Sequence, residues 1–523
     1  MGFGVWILLV ILACINCTRS YRILAVFPLP VKSHHMMHGS VIKALVERGH
    51  HVDEISHFPL KTAAKNHKVV VNLSGTLPQF DGNLPLEEAS MIRKDPLVFV
   101  TQKGGTDLCE LMGLPEMQDF LKDLPNRPKY DLFVTEFFGA SCYLGFGHLL
   151  KVPVAVTISP NSLPWLDWKV GTPESSAFYP SIFLEVVVPM GFLDRLRNTV
   201  DNLIHTWRFD QLTAGQTDLV RKYLAADAPD VRKLENSISL ALINSYHSLN
   251  GIRPLPPGVV EVGGLHVEVN DDKLTPELKQ WLDESTSGVL YFSLGSMMKV
   301  ETLPKNVLQA LFASFKKLAP IRVLMRSVKR EELPPGLPEN VHTMPWIPQL
   351  PVLAHNNTMA FITHGGLMGT QEALYQGVPL VGIPLFADQH RNIKDYMLKG
   401  MCLKMSLDIT QESFDDVLTE MVVNNTKYRE AALHQSKLFR DRPLSAKDAT
   451  IFWLEYVVRN GANSLRSSAL DLAWWQIALL DVFGFILVSS LLLLYALIAT
   501  VRVVLKVLRE ITSKKKRGSK KTN

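Results

Sequence analysis

The sequence predicts an α/β protein with two domains facing a cleft, followed by a single C-terminal transmembrane helix. Three observations carry this. Short apolar runs alternate with amphipathic stretches, and the alternation begins twice. A proline-rich segment, GIRPLPP at 251–257, separates the two series. Near the C-terminus, residues 482–501 form an apolar run without a charge.

In the first series, residues 21–27 (YRILAVF) form a short apolar run ending in prolines, a buried parallel strand. Residues 34–48 follow as a helix, with Met37, Val41, Ala44 and Leu45 on one stripe and Gly49 as its stop. Residues 131–135 (DLFVT) form a second strand, a helical stretch runs on to 150, and 152–158 (VPVAVTI) form a third strand. The second series starts at 288–294 (GVLYFSL), which ends in Gly295-Ser296. A helix at 305–318 and a strand at 321–325 follow. A strand at 359–363, a helix at 367–376 stopped by Gly377, and a strand at 379–384 complete it. Open parallel sheets bind ligands at the C-terminal ends of their strands, so the cleft is where chemistry belongs.

A chain of 523 residues is too long for one hydrophobic core. The formal charge of +5 misleads, because residues 502–523 carry nine Lys or Arg and one Glu. With that tail set aside, residues 1–501 are mildly acidic, at −3. A nucleic-acid binder carries its positive charge on a folded domain, so that class is excluded. Cys14 and Cys17 fall in a segment predicted to be removed. Cys109, Cys142 and Cys402 are too widely spaced for a disulfide framework or a metal cluster.

Residues 5–15 are apolar but too few to span a bilayer, and small or polar residues follow them to Ser20. This predicts a secretory signal peptide over 1–20. Residues 482–501 cover about 30 Å as a helix, the thickness of the hydrocarbon core. Trp474, Trp475 and Asp481 flank one end, and Arg502, Lys506 and Arg509 the other. That asymmetry orients the tail to the cytosol. The expected organisation is a signal peptide (1–20), an N-terminal domain (21–255), a C-terminal domain (256–460), a transmembrane helix (475–501) and a basic cytosolic tail (502–523). The terminal Lys520-Lys521-Thr522-Asn523 resembles a dilysine retrieval signal of reticulum membrane proteins. Asn72, Asn356 and Asn424 open N-x-Ser/Thr sequons.

The most informative stretch runs from 346 to 392, WIPQLPVLAHNNTMAFITHGGLMGTQEALYQGVPLVGIPLFADQHRN. A strand there delivers His364-Gly365-Gly366 to a helix start. Glycines let a diphosphate approach the backbone, and the helix N-terminus favours negative charge. His364 can donate to a phosphate oxygen on the leaving group. Glu372 offers two acceptor oxygens to the two hydroxyls of a ribose. Trp346 offers a flat face to a uracil, and Gln349 can reach its polar edge. Asp388 and Gln389 follow the next strand and can bind sugar hydroxyls. Taken one at a time, a tryptophan is more often core and a helical glutamate more often solvated; the ordered set is what points to a site.

This stretch resembles the donor-binding signature of the UDP-glycosyltransferase family, which includes the UDP-glucuronosyltransferases. SHHMMHGSVIKALVERGHHV at 33–52 looks like the invertebrate, membrane-bound branch. The resemblance implies a GT-B arrangement of two Rossmann-like domains. It gives the same roles to Trp346, Gln349, His364, Gly366, Glu372, Asp388 and Gln389, and makes Gly295-Ser296 a second phosphate-contacting turn. It also implies no metal and no cofactor, the UDP-sugar being a co-substrate.

The reaction needs a base for the acceptor hydroxyl, and histidine suits this task near neutral pH. His34 follows the first strand and its proline loop, and the resemblance makes it that base. His35 reads as packing and His38 as a surface or lining residue. The family pairs its histidine with an aspartate; the matching position here is Glu136, a longer arm with the same charge. The resemblance thus makes Glu136 the catalytic partner of His34, with a solvated glutamate at a strand end as the plainer alternative.

The sequence thus predicts an inverting transferase of the endoplasmic reticulum membrane, type I with lumenal domains. The resemblance to the invertebrate branch implies that it moves a hexose, glucose first and glucuronic acid second, to a small lipophilic hydroxyl compound in detoxification or conjugation, with the N-terminal domain (21–255) binding the acceptor and the C-terminal domain (256–460) the UDP-sugar. Arg391 is the candidate partner for a glucuronate carboxylate. Residues 178–198, rich in apolar side chains, are expected to line the acceptor pocket or lie on the lumenal leaflet. A non-catalytic lipophile-binding protein on the same scaffold is the alternative, and a reticulum scaffold acting through its tail is another. The sequence leaves a homo-oligomer open.

Overall fold

The computed structural model describes residues 20–78, 84–173, 175–406 and 410–519. The expected signal peptide (save Ser20) and the Lys520-Lys521-Thr522-Asn523 signal lie outside them. Two all-parallel sheets form the frame. In the first, β1 (Arg22–Phe27), β2 (His51–Ser56), β3 (His67–Asn72), β4 (Leu132–Glu136), β5 (Val154–Ile158), β6 (Ile238–Ile243) and β7 (Val259–Glu261) stand in the order 3-2-1-4-5-6-7. In the second, β8 (Val289–Ser293), β9 (Arg322–Arg326), β10 (Val341–Met344), β11 (Thr358–Thr363), β12 (Leu380–Gly382) and β13 (Cys402–Lys404) stand in the order 10-9-8-11-12-13.

The continuous apolar runs have a simple cause: both faces of each sheet are covered. On β1, Leu24 and Val26 join one buried cluster, while Ile23, Ala25 and Phe27 join the cluster on the opposite face. On β8, Leu290 and Phe292 face one way, Val289 and Tyr291 the other. The helix Lys32–Glu47 buries Met37, Val41, Ala44 and Leu45, the expected stripe. Between 136 and 150 the expected helical stretch is present in two pieces, a 3-10 turn at Ser141–Leu144 running into a short helix at Gly145–Leu150.

The first sheet takes its last strand, β7, from beyond the 251–257 linker. The helix Ala446–Asn460 sends Ala446, Leu454 and Val457 into a cluster built on β1 and β4. Conversely, the helix Leu86–Lys94 sends Ala89 and Ile92 into the cluster behind β8 and β11. These exchanges join the two sheets into one compact body that ends at Arg466.

Residues from Ser467 form a second unit. Its helix Leu480–Ser519 is long and apolar enough to cross a membrane, and its apolar side chains are exposed.

One expectation about the cysteines is corrected. Cys109 and Cys142 are joined by a disulfide, with Cα atoms 6.0 Å apart. Their 33-residue separation gave no sequence signal, because the turn bearing Cys142 reaches the short helix of Cys109 only in the folded chain. Cys402 is free and buried.

Candidate active site

Each sheet reverses its strand order once, between β1 and β4 and between β8 and β11. At such a reversal the connections diverge to opposite faces and leave a crevice beyond the strand ends. β1 ends at Phe27, and its loop leads to His34 in the first turn of the following helix; Glu136 is the last residue of β4. Ser293 and Thr363 pair in register at the ends of β8 and β11, so Gly295-Ser296 and His364-Gly365-Gly366 leave the second sheet side by side. A cavity of about 240 Å³ joins the two crevices. His34, Gly295, Ser296, Trp346, Gln349, His364, Gly366, Glu372, Asp388 and Gln389 all line it.

His34 Nδ1 lies 2.6 Å from Glu136 Oε1. The longer arm of glutamate therefore reaches the imidazole, and the plainer reading of Glu136 as solvated is corrected: it is 6% exposed. Burial alone would raise this carboxyl. The charges and hydrogen bonds of His34 and His38 outweigh burial and hold it well below the usual carboxylate range. His35 packs as expected, tilted against Phe58, and burial beside His38 pushes it down to about 3. His38 corrects the surface expectation: it is 1% exposed and stacks on Phe27 at 4.1 Å. Helical periodicity put His38 beside His34 on one face, but the burial of that face depends on β1 and β5.

At the second sheet, Ser296 Oγ is buried without a hydrogen-bond partner, as a phosphate-contacting hydroxyl would be. Loss of hydration and the nearby Arg326 charge push His364 down to about 4, so its ring is neutral at pH 7. Gly365 has a φ of +86°, which only glycine adopts without strain, and a Cβ there would lie 2.6 Å from Ile393. Gly366 begins the helix Leu367–Gln376 with an ordinary φ of −61°. A Cβ on it would lie 2.5 Å from His364 Nε2. Gly366→Ala should therefore move the His364 ring without straining the backbone. A fall in kcat on the order of 100-fold, the usual cost of a lost oxyanion donor, is expected with little change in Tm. Kinetics and thermal melts of this variant check it.

Glu372 is 1% exposed, and burial pushes its carboxyl up to about 8. Gln349 Nε2 donates to Glu372 Oε2 at 2.7 Å, and Tyr291 donates to Gln349 Oε1 at 3.0 Å. Both ends of the Gln349 amide are thus engaged within the protein. Sequence reasoning missed Tyr291, whose alternation on β8 read only as core. Trp346 is 49% exposed, with the Arg326 guanidinium 5.4 Å from its ring centre. Arg326 also donates to the Gly295 carbonyl.

Gln389 Oε1 accepts from the backbone N–H groups of Leu385 and Phe386, which fixes the loop before it. Asp388 accepts from Asn392 at 2.8 Å; burial raises its carboxyl, and it is close enough to His34 to feel that ring's charge. Arg391 is corrected as a candidate for a sugar carboxylate. It pairs with Asp395 at 2.8 Å and donates to the Val186 carbonyl at 2.8 Å.

The opposite wall is apolar, with Phe99, Phe138, Leu163, Trp165, Ile182 and Phe183. Of residues 178–198, Ile182 and Phe183 reach this wall, while Phe192, Leu193 and Leu196 are exposed on the helix Phe192–Thr213. Among the described residues, no group of three or more His, Cys, Asp or Glu converges as a metal site requires.

Comparison with known proteins adds a lineage to this geometry. UDP-glucosyltransferase 2 of Dactylopius coccus is 32% identical over 498 residues, covering 94% of each chain. UDP-glucuronosyltransferase 2A3 of Mus musculus is 30% identical over 473 residues, covering 89% of this chain and 85% of the relative. Among solved structures, the glycotransferase of kitacinnamycin superposes with a TM-score of 0.54 at 19% identity, over 85% of this chain and 99% of that one. The glycosyltransferase VinC does so with a TM-score of 0.55 at 16% identity, over 84% and 100%. These likenesses give the fold, the GT-B arrangement of two Rossmann-like domains. The family model described as "UDP-glucoronosyl and UDP-glucosyl transferase" matches residues 124–518. The chain is a member of that family, a UDP-glycosyltransferase.

Proposed function

We propose that the protein transfers glucose from UDP-glucose to a small lipophilic hydroxyl compound, with inversion at the anomeric carbon. The reading is supported by one observation above the rest: a polar wall from the second sheet and an apolar wall bearing His34 border the same cavity. With Nδ1–H donating to Glu136, His34 Nε2 carries the free lone pair and takes the acceptor's proton. The acceptor oxygen attacks the anomeric carbon as the bond to UDP breaks, and UDP leaves with the electron pair. Ser296, His364 and the helix start at Gly366 face the charge that develops on the diphosphate. Asp388 and Gln389 hold the sugar, Glu372 the ribose and Trp346 the uracil.

The choice of glucose over glucuronate is supported by the cations. Arg391 is engaged by Asp395 and Val186. Arg326, the one Lys or Arg among the described residues lining the cavity, lies over the Trp346 ring and donates to the Gly295 carbonyl. A competition assay on microsomes expressing the chain tests it. UDP-glucose should support turnover at least tenfold better than UDP-glucuronate, and the reverse order would overturn the choice.

A reticulum membrane location with lumenal domains is supported by the apolar helix and its basic flank. The Cys109–Cys142 disulfide suits an oxidising compartment, and the sequon residues Asn72, Asn356 and Asn424 are exposed. Protease protection of the microsomal enzyme, with only the tail cleaved, tests the orientation.

A further inference from the structure

We propose that Ser159 and His38 position the Glu136 carboxylate for His34, and that these two residues are what make a glutamate serviceable at this place. The inference rests on His34 being the base. Three groups converge on a single carboxylate oxygen, Glu136 Oε1: His34 Nδ1 at 2.6 Å, Ser159 Oγ at 2.7 Å and His38 Nε2 at 3.5 Å. The other oxygen, Oε2, is buried and has no hydrogen-bond partner. The carboxylate is therefore oriented wholly through Oε1. A glutamate has one more rotatable bond than an aspartate, and that freedom must be removed if a base is to be held in a fixed tautomer.

Ser159 and His38 remove it from two directions. Ser159 follows β5 and donates its hydroxyl proton to Oε1. Its oxygen then accepts, and His38 Nε2 stands 3.4 Å away as the donor. His38 itself is fixed, stacked on Phe27 at 4.1 Å in the buried face of the helix. The result is a chain of donors, His38 to Ser159 to Glu136, ending at the oxygen that meets His34. Other titratable groups stand further off. The His35 ring is 6.4 Å from that of His38, with Lys32 and His57 close to His35, and Asp388 faces His34 from the second sheet. Apart from His34 itself, the described groups that orient Oε1 are thus Ser159 and His38.

Ser159→Ala and His38→Phe test this in the full-length microsomal enzyme, with UDP-glucose and a phenolic acceptor; phenylalanine keeps the stack on Phe27. Each variant should lose about tenfold in kcat, the worth of one hydrogen bond to a charged group. KM for UDP-glucose should stay unchanged. The acid limb of the kcat/KM profile should move to lower pH, because a carboxylate swung away from His34 no longer favours its protonated form. The double variant should be little worse than the worse single one, since both act through one oxygen. Glu136→Asp should also lose activity, because the shorter arm cannot meet Ser159 and His34 together. Lower Tm with an unmoved acid limb would mean a merely structural role and overturn the proposal. So would unchanged kinetics in both variants while His34→Ala is inactive, which would leave the base assignment standing. Full turnover by His34→Ala would instead remove the base assignment itself.

Discussion

His34→Ala should lower kcat/KM for a phenolic acceptor by roughly 10²–10⁴-fold, the range a positioned general base contributes. UDP should bind with unchanged affinity, since His34 is carried by the helix after β1, whereas His364 and Glu372, the proposed UDP ligands, are carried by the second sheet's β11 and the helix after it. The size of the effect follows from the geometry. A carboxylate 2.6 Å from Nδ1 fixes the tautomer and stabilises the imidazolium that forms as the proton is taken. Glu136→Gln should fall between the wild type and His34→Ala, because an amide can still orient the ring but cannot balance its charge. Steady-state kinetics with titration of UDP separate the two effects. Should His34→Ala keep its turnover, the base must be sought elsewhere on the cavity wall.

Glu372→Gln should weaken UDP-glucose binding by roughly 10–100-fold while making the protein more stable at alkaline pH. The two effects have one origin. Burial lifts the carboxyl from the ordinary 4.5 to about 8. In the unfolded chain the group ionises above 4.5, whereas the folded protein keeps its proton until about 8. Its contribution to stability is therefore complete below pH 4.5 and declines as pH rises towards 8. Glutamine does not titrate, so the variant should gain on the wild type through that window, on the order of 1–3 kcal/mol at its upper end. Ribose hydroxyls give the ionised carboxylate the donors that burial removed, so UDP-glucose binding near pH 7 should release a proton. Calorimetry in two buffers of different ionisation enthalpy detects that release, and thermal melts at pH 5 and pH 8 detect the stability change. An identical Tm difference at both pH values together with an unaltered KM would show that Glu372 neither titrates nor meets the donor.

The site was unevenly legible in the sequence. The residues from Trp346 to Gln389 lie within a short stretch of chain, and strand, glycine turn and helix set their spacing locally. Their order alone therefore marked the stretch as a candidate nucleotide-diphosphate site. Glu136 is 102 residues from His34, so only the family resemblance tied the two together, with a solvated strand end as the alternative. Arg391 read as an available cation, because nothing in its neighbourhood shows that the loop at Val186 comes across to meet it.

By itself the sequence determined the alternation of strands and helices, the apolar C-terminal helix and the run of candidate donor-binding residues. Periodicity, turn chemistry and charge are properties of neighbours along the chain. Only the tertiary structure decided that Cys109 meets Cys142, that His38 is buried beside Glu136, and that Arg391 meets the Val186 carbonyl. These depend on how segments far apart along the chain pack against one another. That juxtaposition is fixed by packing both faces of each sheet, and no local pattern encodes it.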